Sequence, residues 1–425
     1  MLLSPAFTET YRRISPISHG LALPLNFPSP LSELNLLSIL SLLNIASGYR
    51  VALHQETGRG AWDSIRAFVL GLYLGSATDG EGDLLSARGM QTLSEAKIAE
   101  LLGVSLHTEE QHESIQGLTI GQIGGPGWEL VQLLKTLLTE TGKDLVNGGY
   151  PNLGSFVAEA LKEGENASRE RSDPAIAADV VLERVRLRFT DVGSGVLIHI
   201  PSSSAPFPGS RTWRWSMAPV CTLPLFWQWQ PSRSRPSVLC CTILPAIYCF
   251  KKALFLINAV SIRFGTKDPS PFPVPQTSHL PVFTDNVLPS ILIHFGIIDL
   301  STAAPALAAL FPGAGADDST LSALFAAAPE PKPSHVSAGR AAKKTAPVDG
   351  PTPTPAQSYV LRAAAVEACE RIVAHACTMC AAGRGVPWLG DITLPDLDNW
   401  LWAVAKDRAD YRALPRFALR NTLFF

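Results

Sequence analysis

The stretch ELNLLSILSLLNIA, from Glu33 to Ala46, decides the fold class of this chain. Apolar side chains occur on every face of the helix that this stretch would form, which is typical of a helix buried in a core. Ser32, directly before the stretch, is a residue type that often caps a helix N-terminus. Residues 61–75 add an amphipathic pattern with i, i+3 and i+4 spacing, and its apolar members are Trp62, Ile65, Phe68, Val69, Leu72 and Tyr73. Both stretches predict core-forming helices.

Helical spacing continues along most of the chain, whereas the alternating pattern of strands is scarce and short. Ser94 and Asn152 are expected to cap two further helices at their N-termini. Asp173 and Pro174 form a third expected start, and Gly142 is an expected C-terminal cap. The predicted helices cover residues 94–102, 128–141, 153–163, 174–189, 251–264, 286–296, 358–382 and 395–406. The sequence therefore predicts an all-α fold.

Two irregular insertions interrupt this helical pattern. The second of them, residues 328–357, is rich in alanine, proline, lysine and serine, a composition typical of a flexible linker. The predicted parts are an N-terminal helical part (1–192), the first insertion (193–249), a helical part (250–327), the linker (328–357) and a C-terminal helical part (358–425). The three helical parts are expected to form one compact domain.

The first insertion, residues 193–249, has an unusual composition. It contains no aspartate or glutamate, and it carries Trp213, Trp215, Trp227 and Trp229. One interpretation is an aromatic loop in which tryptophan and arginine stack on bases. The other is sequence that never evolved to fold, such as non-coding sequence translated in error. The second interpretation is favoured, because so long a structureless loop is uncommon in a compact domain.

The bulk composition narrows the class of protein. Of the 425 residues, 46% are hydrophobic and 17% are charged, which allows a large core and excludes broad disorder. The net charge of −2 gives no case for a nucleic-acid partner. Seven cysteines are too few for a disulfide scaffold. Neither an apolar leader nor a membrane-length apolar run is present, so we expect a cytoplasmic protein without membrane contact. We also expect a monomer.

The segment HLPVFTDNVLPSILIHFGIIDLS, from His279 to Ser301, carries the first candidate site. Asp285 lies among apolar residues, directly before a helix expected to begin near Asn286. One interpretation is that Asp285 only caps that helix, and the pattern by itself favours this. The other is a partly desolvated carboxylate in a pocket, with Phe283 stacking on a planar base.

A second acidic site opens the segment LPDLDNWLWAVAK, from Leu394 to Lys406. Asp396 and Asp398 begin a helix that also carries Trp402. Carboxylates in a first turn complement the helix dipole, so a purely structural role is a strong alternative to a catalytic one.

Two basic elements are candidate ligand contacts. Lys251 and Lys252 begin the helix FKKALFLINAVSIRF, where cations oppose the dipole and a bound phosphate would account for them. The alternative is a pair of solvated lysines at a helix end. His19, in SHGLALPLNF, is either a ligand contact or an ordinary loop residue.

Two further motifs are only weak indications of a functional site. Cys377 and Cys380 form a single CxxC pair on a predicted helix, where core or surface thiols are more common than zinc ligands. The tract GQIGGPGWEL lacks the spacing of a dinucleotide fingerprint and predicts a turn. Neither a metal nor a cofactor is expected.

Taken in order, several segments of the chain resemble the queuosine salvage family, the queuosine 5′-phosphate N-glycosylase/hydrolases, and its fungal branch in particular. The resemblance covers most of the chain outside 193–249 and 328–357. The resembling segments are HGLALPLNF, LNIASGYRVALHQETGRGAWDSIRAFVLGLYL, GYPNLGSFVAEALKE, KKALFLINA, LPVFTDNVLPSIL, YVLRAAAVEACERI, LDNWLWAVAK and RNTLFF.

Three family motifs place candidate residues. The FxDYRVP motif falls on Phe283, Asp285 and Pro289, with Asn286 and Val287 in place of tyrosine and arginine. The other two matches are IDxxLW on Leu397, Asp398, Leu401 and Trp402, and a lysine-arginine-alanine-glutamine stretch on Lys251, Lys252, Ala253 and Leu254. The family's C-terminal basic pattern corresponds loosely to Arg420.

The resemblance implies a fold similar to the helical DNA glycosylases and a small nucleotide substrate, queuosine 5′-monophosphate. The released base, queuine, would be salvaged for tRNA modification. Asp285 would stabilise positive charge on the ribose or act as a general base, and Asp398 would hold the base or the ribose hydroxyls, with the two roles exchangeable. Phe283, Lys251, Trp402, Arg420 and His19 would bind substrate, with Lys251 first and Arg420 second as phosphate contacts.

Two alternatives remain open. The insertion motivates a non-catalytic helical scaffold derived from the family. The changes at Asn286 and Val287 motivate a hydrolase of another nucleoside monophosphate.

Overall fold

Helices make up most of the computed structural model, which describes residues 1–11, 21, 23, 25–78, 82–112, 114–115, 117–189, 251–327 and 346–423. The α-helices are α1 (Pro5–Thr8), α2 (Pro30–Leu42), α3 (Arg50–Thr57), α4 (Ala61–Thr78), α5 (Gly89–Thr92), α6 (Glu95–Leu102), α7 (Gly125–Asn147), α8 (Leu153–Arg171), α9 (Ala175–Phe189), α10 (Lys251–Phe264), α11 (Val287–His294), α12 (Pro305–Ala308), α13 (Asp318–Phe325), α14 (Pro355–Ala381), α15 (Leu394–Asp407) and α16 (Ala409–Ala413). Short 3₁₀ helices lie at Ser47–Tyr49 and Pro387–Asp391. The predicted helical character is confirmed.

The described residues include one antiparallel hairpin, formed by β1 (His107–Gln111) and β2 (Thr119–Ile123). Its register pairs His107 with Ile123 and Gln111 with Thr119. The predicted turn over GQIGGPGWEL is therefore wrong in its bounds, because the tract contains the end of β2 and the start of α7. Gly125 makes this junction, since its φ is +86° and an added Cβ would lie 2.5 Å from the Thr108 side chain.

Helix α2 is buried around nearly its whole circumference, as its apolar repeat predicts. The hydroxyls of Ser38 and Ser41 donate to the carbonyls four residues earlier, at 2.7 and 2.8 Å, so neither polar group is left unpaired. The cap is Ser29 rather than the predicted Ser32, because the Ser29 hydroxyl accepts from the Ser32 N–H at 3.1 Å. Pro30 then occupies the first turn, where its missing N–H costs no hydrogen bond.

Helix α7 is longer than predicted and does not end at Gly142. It runs to Asn147 and is capped by Gly148. Gly142 is instead a contact point inside the helix, because a Cβ there would lie 2.5 Å from the carbonyl oxygen of Ala87. The predicted cap at Asn152 is confirmed by its side chain, which accepts from the Ser155 N–H at 2.8 Å.

The described residues all belong to one compact unit that contains two hydrophobic cores. The N-terminal core is built from α2, α4, α6, α7, α8, α9 and α10. The C-terminal core is built from α11, α14 and α15, together with the N-terminal Phe7 and the C-terminal Phe417. The two cores meet along residues 282–287, since Phe283 packs in the N-terminal core while Val282 and Val287 pack in the C-terminal core. Trp402 packs against both.

In the part of the chain that the structure describes, no single helix combines the length and the apolar composition needed to cross a membrane. One pair, Pro30–Leu42 with Ser47–Thr57, meets both criteria together across a bend of 63°.

Besides the candidate contact His19, two of the predicted segments fall outside the described residues. These are the first insertion, 193–249, and most of the linker, of which only residues 346–357 are described.

Candidate active site

Asp285 lies where the two cores meet, two residues before the start of α11. Its side chain is 2% exposed, and its Oδ1 accepts the Val287 N–H at 2.6 Å. This bond satisfies a free N–H at the start of the helix, so the predicted structural role is present. Asp285 also lines a cleft, as the alternative interpretation requires. One carboxylate oxygen therefore orders the helix start while the group reaches the cleft.

Lys251 is the cation beside this carboxylate. Its ammonium lies 3.2 Å from Asp285 Oδ2 and donates to Asn44 Oδ1 at 3.0 Å and to the Asn44 carbonyl at 3.3 Å. Burial lowers the pKa of Lys251, and the Asp285 charge opposes that shift. The three donors of the ammonium are all directed at protein oxygens. Lys251 thus forms an ion pair with Asp285 and does not line the described cleft, and its predicted contact with phosphate stays a prediction.

Lys252 is buried beside it, with 7% of its surface exposed and no hydrogen-bond partner for its ammonium among the described residues. Burial, followed by the charge of Lys251, lowers the pKa of Lys252 to about 7. Burial of both lysines contradicts the alternative in which they are solvated at a helix end.

Asp398, in the first half of α15, is the second buried carboxyl group. Its Oδ2 accepts the Phe283 N–H at 2.6 Å. The pKa of Asp398 is raised to about 7, mainly by burial. The Phe283 N–H and the charge of Lys251 oppose this shift, and the charge of Asp285 adds to it. Among the described residues, the cleft lining includes Asp285 but not Asp398.

Asp396 has the structural role expected of an acid in a first turn. It forms a capping box with Thr393, in which each side chain bonds the other residue's backbone N–H. The two carboxylates of LPDLDNW therefore differ in function. Asp396 caps the start of α15, whereas Asp398 accepts a hydrogen bond from the segment that carries Asp285.

The cleft encloses about 770 Å³ of empty space, including its open mouth. Its lining carries two carboxylates and four cations, namely Asp63, Asp285, Arg50, Lys406, Arg412 and Arg416. The excess of cations favours an anionic ligand.

Two tryptophan rings supply the aromatic part of the lining. Trp62 and Trp402 meet edge to face with centroids 6.3 Å apart. Lys406 lies 5.1 Å above the Trp402 ring and bonds Asp63 at 2.9 Å. Trp402 was predicted as a substrate contact, and the structure places it in the cleft. Trp62 was predicted only as a core residue.

Phe283 does not form the predicted stacking wall. Its side chain is 5% exposed and packs in the N-terminal core, away from the cleft lining. Its backbone N–H, rather than its ring, connects it to the site through Asp398. The sequence shows that Phe283 adjoins Asp285, but it does not determine the direction of the Phe283 side chain.

Three arginines of the cleft influence one another. The pKa of Arg416 is lowered to about 9, mainly by burial. The charges of Arg50 and Arg412 add to this shift, and the charge of Asp285 opposes it. Burial also lowers the pKa of Arg50 to about 10; Asp349 opposes that shift, and Arg412 adds to it. The Nε of Arg416 has no hydrogen-bond partner among the described residues. Mutual repulsion of this kind is relieved when an anion binds.

Arg420, the predicted second phosphate contact, lies outside this group. Its Nε donates to the Gly48 carbonyl at 3.4 Å, and its guanidinium lies 5.8 Å from the Tyr49 ring centroid. It does not line the cleft. His19 lies outside the described residues, so its predicted role stays a prediction. Arg50 lines the cleft but is not among the predicted site residues. It lies within the segment LNIASGYRVALHQETGRG, whose resemblance to the family is the one sequence feature that indicates it.

The described residues contain no cluster of three or more histidine, cysteine, aspartate or glutamate side chains that could hold a metal ion. Cys377 and Cys380 lie on α14, where their thiols approach the carbonyls of Gly390 and Pro387 at 3.6 and 3.3 Å.

Comparisons of the chain with protein-family models, with curated proteins and with solved structures found no match.

Proposed function

We propose that this chain hydrolyses the N-glycosidic bond of a nucleoside 5′-monophosphate, with queuosine 5′-monophosphate as the substrate favoured by the sequence resemblance. The observation that carries the proposal is the cleft at Asp285. One lining joins a buried carboxylate, two tryptophan rings and a group of arginines. These are the chemical complements of a ribose cation, a planar base and a phosphate.

Asp285 provides the electrostatic part of the mechanism. Cleavage of the bond builds positive charge on the ribose, which a nearby carboxylate stabilises. At about 4 Å and an effective dielectric constant near 20, the attraction is about 4 kcal/mol before solvation costs. This corresponds to roughly a thousandfold in rate. Lys251 places a cation 3.2 Å from the buried carboxylate of Asp285.

The leaving group makes this stabilisation more important. A 7-deazaguanine has carbon at the position where purines carry N7, so protonation of N7 is not available to activate the base. The reaction then depends more heavily on charge stabilisation at the ribose, with any activation of the base at another edge. Trp62 and Trp402 offer aromatic surface to a planar base in this arrangement.

The arginines are assigned to the phosphate. Arg50, Arg412 and Arg416 line the same cleft as Asp285, and guanidinium groups bind phosphate oxygens in bidentate geometry. A dianionic ligand would offset their mutual repulsion. This assignment replaces Lys251 and Arg420, which lie against protein oxygens or outside the lining.

The wider setting is also part of the proposal. The helical scaffold is compatible with the implied similarity to helical DNA glycosylases. We place the activity in the cytoplasm, in a monomer that binds a small nucleotide and needs no nucleic acid, membrane or cofactor. Queuine would then be released for salvage into tRNA.

Analysis of the products in H₂¹⁸O tests this function. The purified chain is expected to convert queuosine 5′-monophosphate into equal amounts of queuine and ribose 5-phosphate, with ¹⁸O at C1 of the sugar. Release of inorganic phosphate, or an intact nucleotide after prolonged incubation with folded protein, would contradict the proposal.

A second candidate is hydrolysis of a different nucleoside monophosphate. Asn286 and Val287 both line the cleft, and Asn286 Oδ1 has no hydrogen-bond partner among the described residues. An unpaired acceptor beside the carboxylate favours a base or sugar that offers a donor there. A panel of purine, pyrimidine and 7-deazapurine monophosphates distinguishes the candidates, because the true substrate has the highest kcat/KM.

A further inference from the structure

We infer that Asp398 is a positioning residue, which holds the backbone of Phe283 so that Asp285 faces the substrate, and that it never contacts substrate itself. The inference rests on the proposed function and changes the expected division of labour. In the sequence-based hypothesis, Asp398 held the base or the ribose hydroxyls.

Among the described residues, Asp398 does not line the cleft. Its side chain is 5% exposed, and the described lining contains Asp285, Asn286 and Val287 without it. Its Oδ2 receives a short hydrogen bond, 2.6 Å, from the N–H of Phe283. The hydrogen bond that Asp398 accepts therefore comes from the backbone two residues before Asp285.

Neighbouring residues of the segment 283–287 are held by different parts of the fold. Arg362 of α14 donates to the Thr284 carbonyl at 3.2 Å. Asn286 donates to the Phe417 carbonyl at 2.8 Å. Asp398 of α15 adds the bond at Phe283, so attachments surround Asp285 on both sides along the chain. Since the segment is irregular, these bonds replace the ladder that a helix or strand would supply.

Titratable groups from three parts of the chain surround Asp398. These groups are Asp285 in the segment 283–287, Lys251 on α10 and Cys369 on α14. The charge of Arg362, also on α14, acts on Lys251. Lys251 makes its direct contact with Asp285 and not with Asp398. A full negative charge on Asp398 would compete for that lysine. The acceptor oxygen, rather than the charge, is the feature that the Phe283 N–H requires, and an amide oxygen provides it equally.

Catalysis tests the role of that oxygen. Asp398→Ala should lower kcat by about 10- to 100-fold, the loss expected when catalytic geometry shifts, and leave KM within about threefold. Asp398→Asn should restore most of kcat, because its amide oxygen can accept from Phe283. Asp407→Ala, an exposed position on the same helix, is the matched control and should leave both constants unchanged. A failure of Asp398→Asn to recover activity would overturn the inference.

Binding provides a readout independent of turnover. Calorimetry should give one equivalent of queuosine 5′-monophosphate bound by Asp285→Asn, with the same Kd in the Asp285→Asn/Asp398→Ala double variant. A Kd weakened by tenfold or more in the double variant would show that Asp398 contacts substrate and would overturn the inference. If wild-type protein neither binds nor cleaves this nucleotide, the proposed function fails, and the positioning role falls with it.

Discussion

The Asp285 carboxylate is buried, yet both of its oxygens have partners. Val287 N–H bonds one, and the Lys251 ammonium lies against the other. Removing a partner from such a pair typically costs about 3–5 kcal/mol, because the remaining charge is buried without compensation. The sequence pattern singled out Asp285 through its apolar neighbours. It did not predict that Lys251 would be the compensating cation, since that pairing arises from packing of α10 on the 283–287 segment.

Arg412, one of the three arginines assigned to the phosphate, provides the test of that assignment. Arg412→Gln should raise KM for the monophosphate by about 10- to 100-fold, the effect of about 1.5–3 kcal/mol from a lost hydrogen bond to a charged group. KM for the unphosphorylated nucleoside should stay nearly constant. Arg420→Gln is the matched control, because Arg420 lies outside the cleft lining. An equal effect of Arg412→Gln on both substrates, or a larger effect of Arg420→Gln, would contradict the assignment.

Asp398 makes stability depend on pH. Its pKa is raised from 3.8 to about 7 in the folded chain, so its stabilising contribution is complete below about pH 4 and is lost as pH rises to 7. Asp398→Asn removes this titration. Between pH 5 and pH 8, the variant should therefore gain about 2–3 kcal/mol in unfolding free energy relative to wild type. Urea unfolding at both pH values measures the change, and a constant difference would contradict the burial of the charge.

At the scale of elements, apolar periodicity located the helices well and their ends less well. Helix α2 follows from its leucine-rich repeat, and the caps at Ser94 and Asn152 follow from residue type. The end of α7 was misplaced, because a glycine is equally suited to a cap and to a close contact between elements. Only the approach of Ala87 to Gly142 separates these two functions.

Gly142→Ala tests that close contact. Helix propensity by itself favours alanine over glycine by about 1 kcal/mol. The added Cβ would lie 2.5 Å from the Ala87 carbonyl oxygen, so we expect destabilisation of about 1–3 kcal/mol instead. Gly71→Ala is the control in α4, where the Cβ would meet only the end of the Leu101 side chain at 3.0 Å. Stabilisation by Gly142→Ala in denaturant unfolding would contradict the packing described here.

At the scale of the whole molecule, the site depends on residues that are far apart in the sequence. Arg50 follows the N-terminal core helix α2, while Arg412 and Arg416 lie near the C-terminus, and the fold brings all three to the cleft at Asp285. No local pattern could have grouped them. The helical class is predictable because it depends on local repeats, whereas the composition of the cleft depends on how the two cores meet.

The measurement that tests the central claim most directly is release of free queuine from queuosine 5′-monophosphate by wild-type protein, Asp285→Asn and Asp318→Asn. Asp318 is an exposed carboxylate in the first turn of α13 and serves as the matched control. The account predicts turnover by wild type and Asp318→Asn, and a loss of about a thousandfold in Asp285→Asn. Equal turnover by all three proteins, or none by folded wild type, would contradict it.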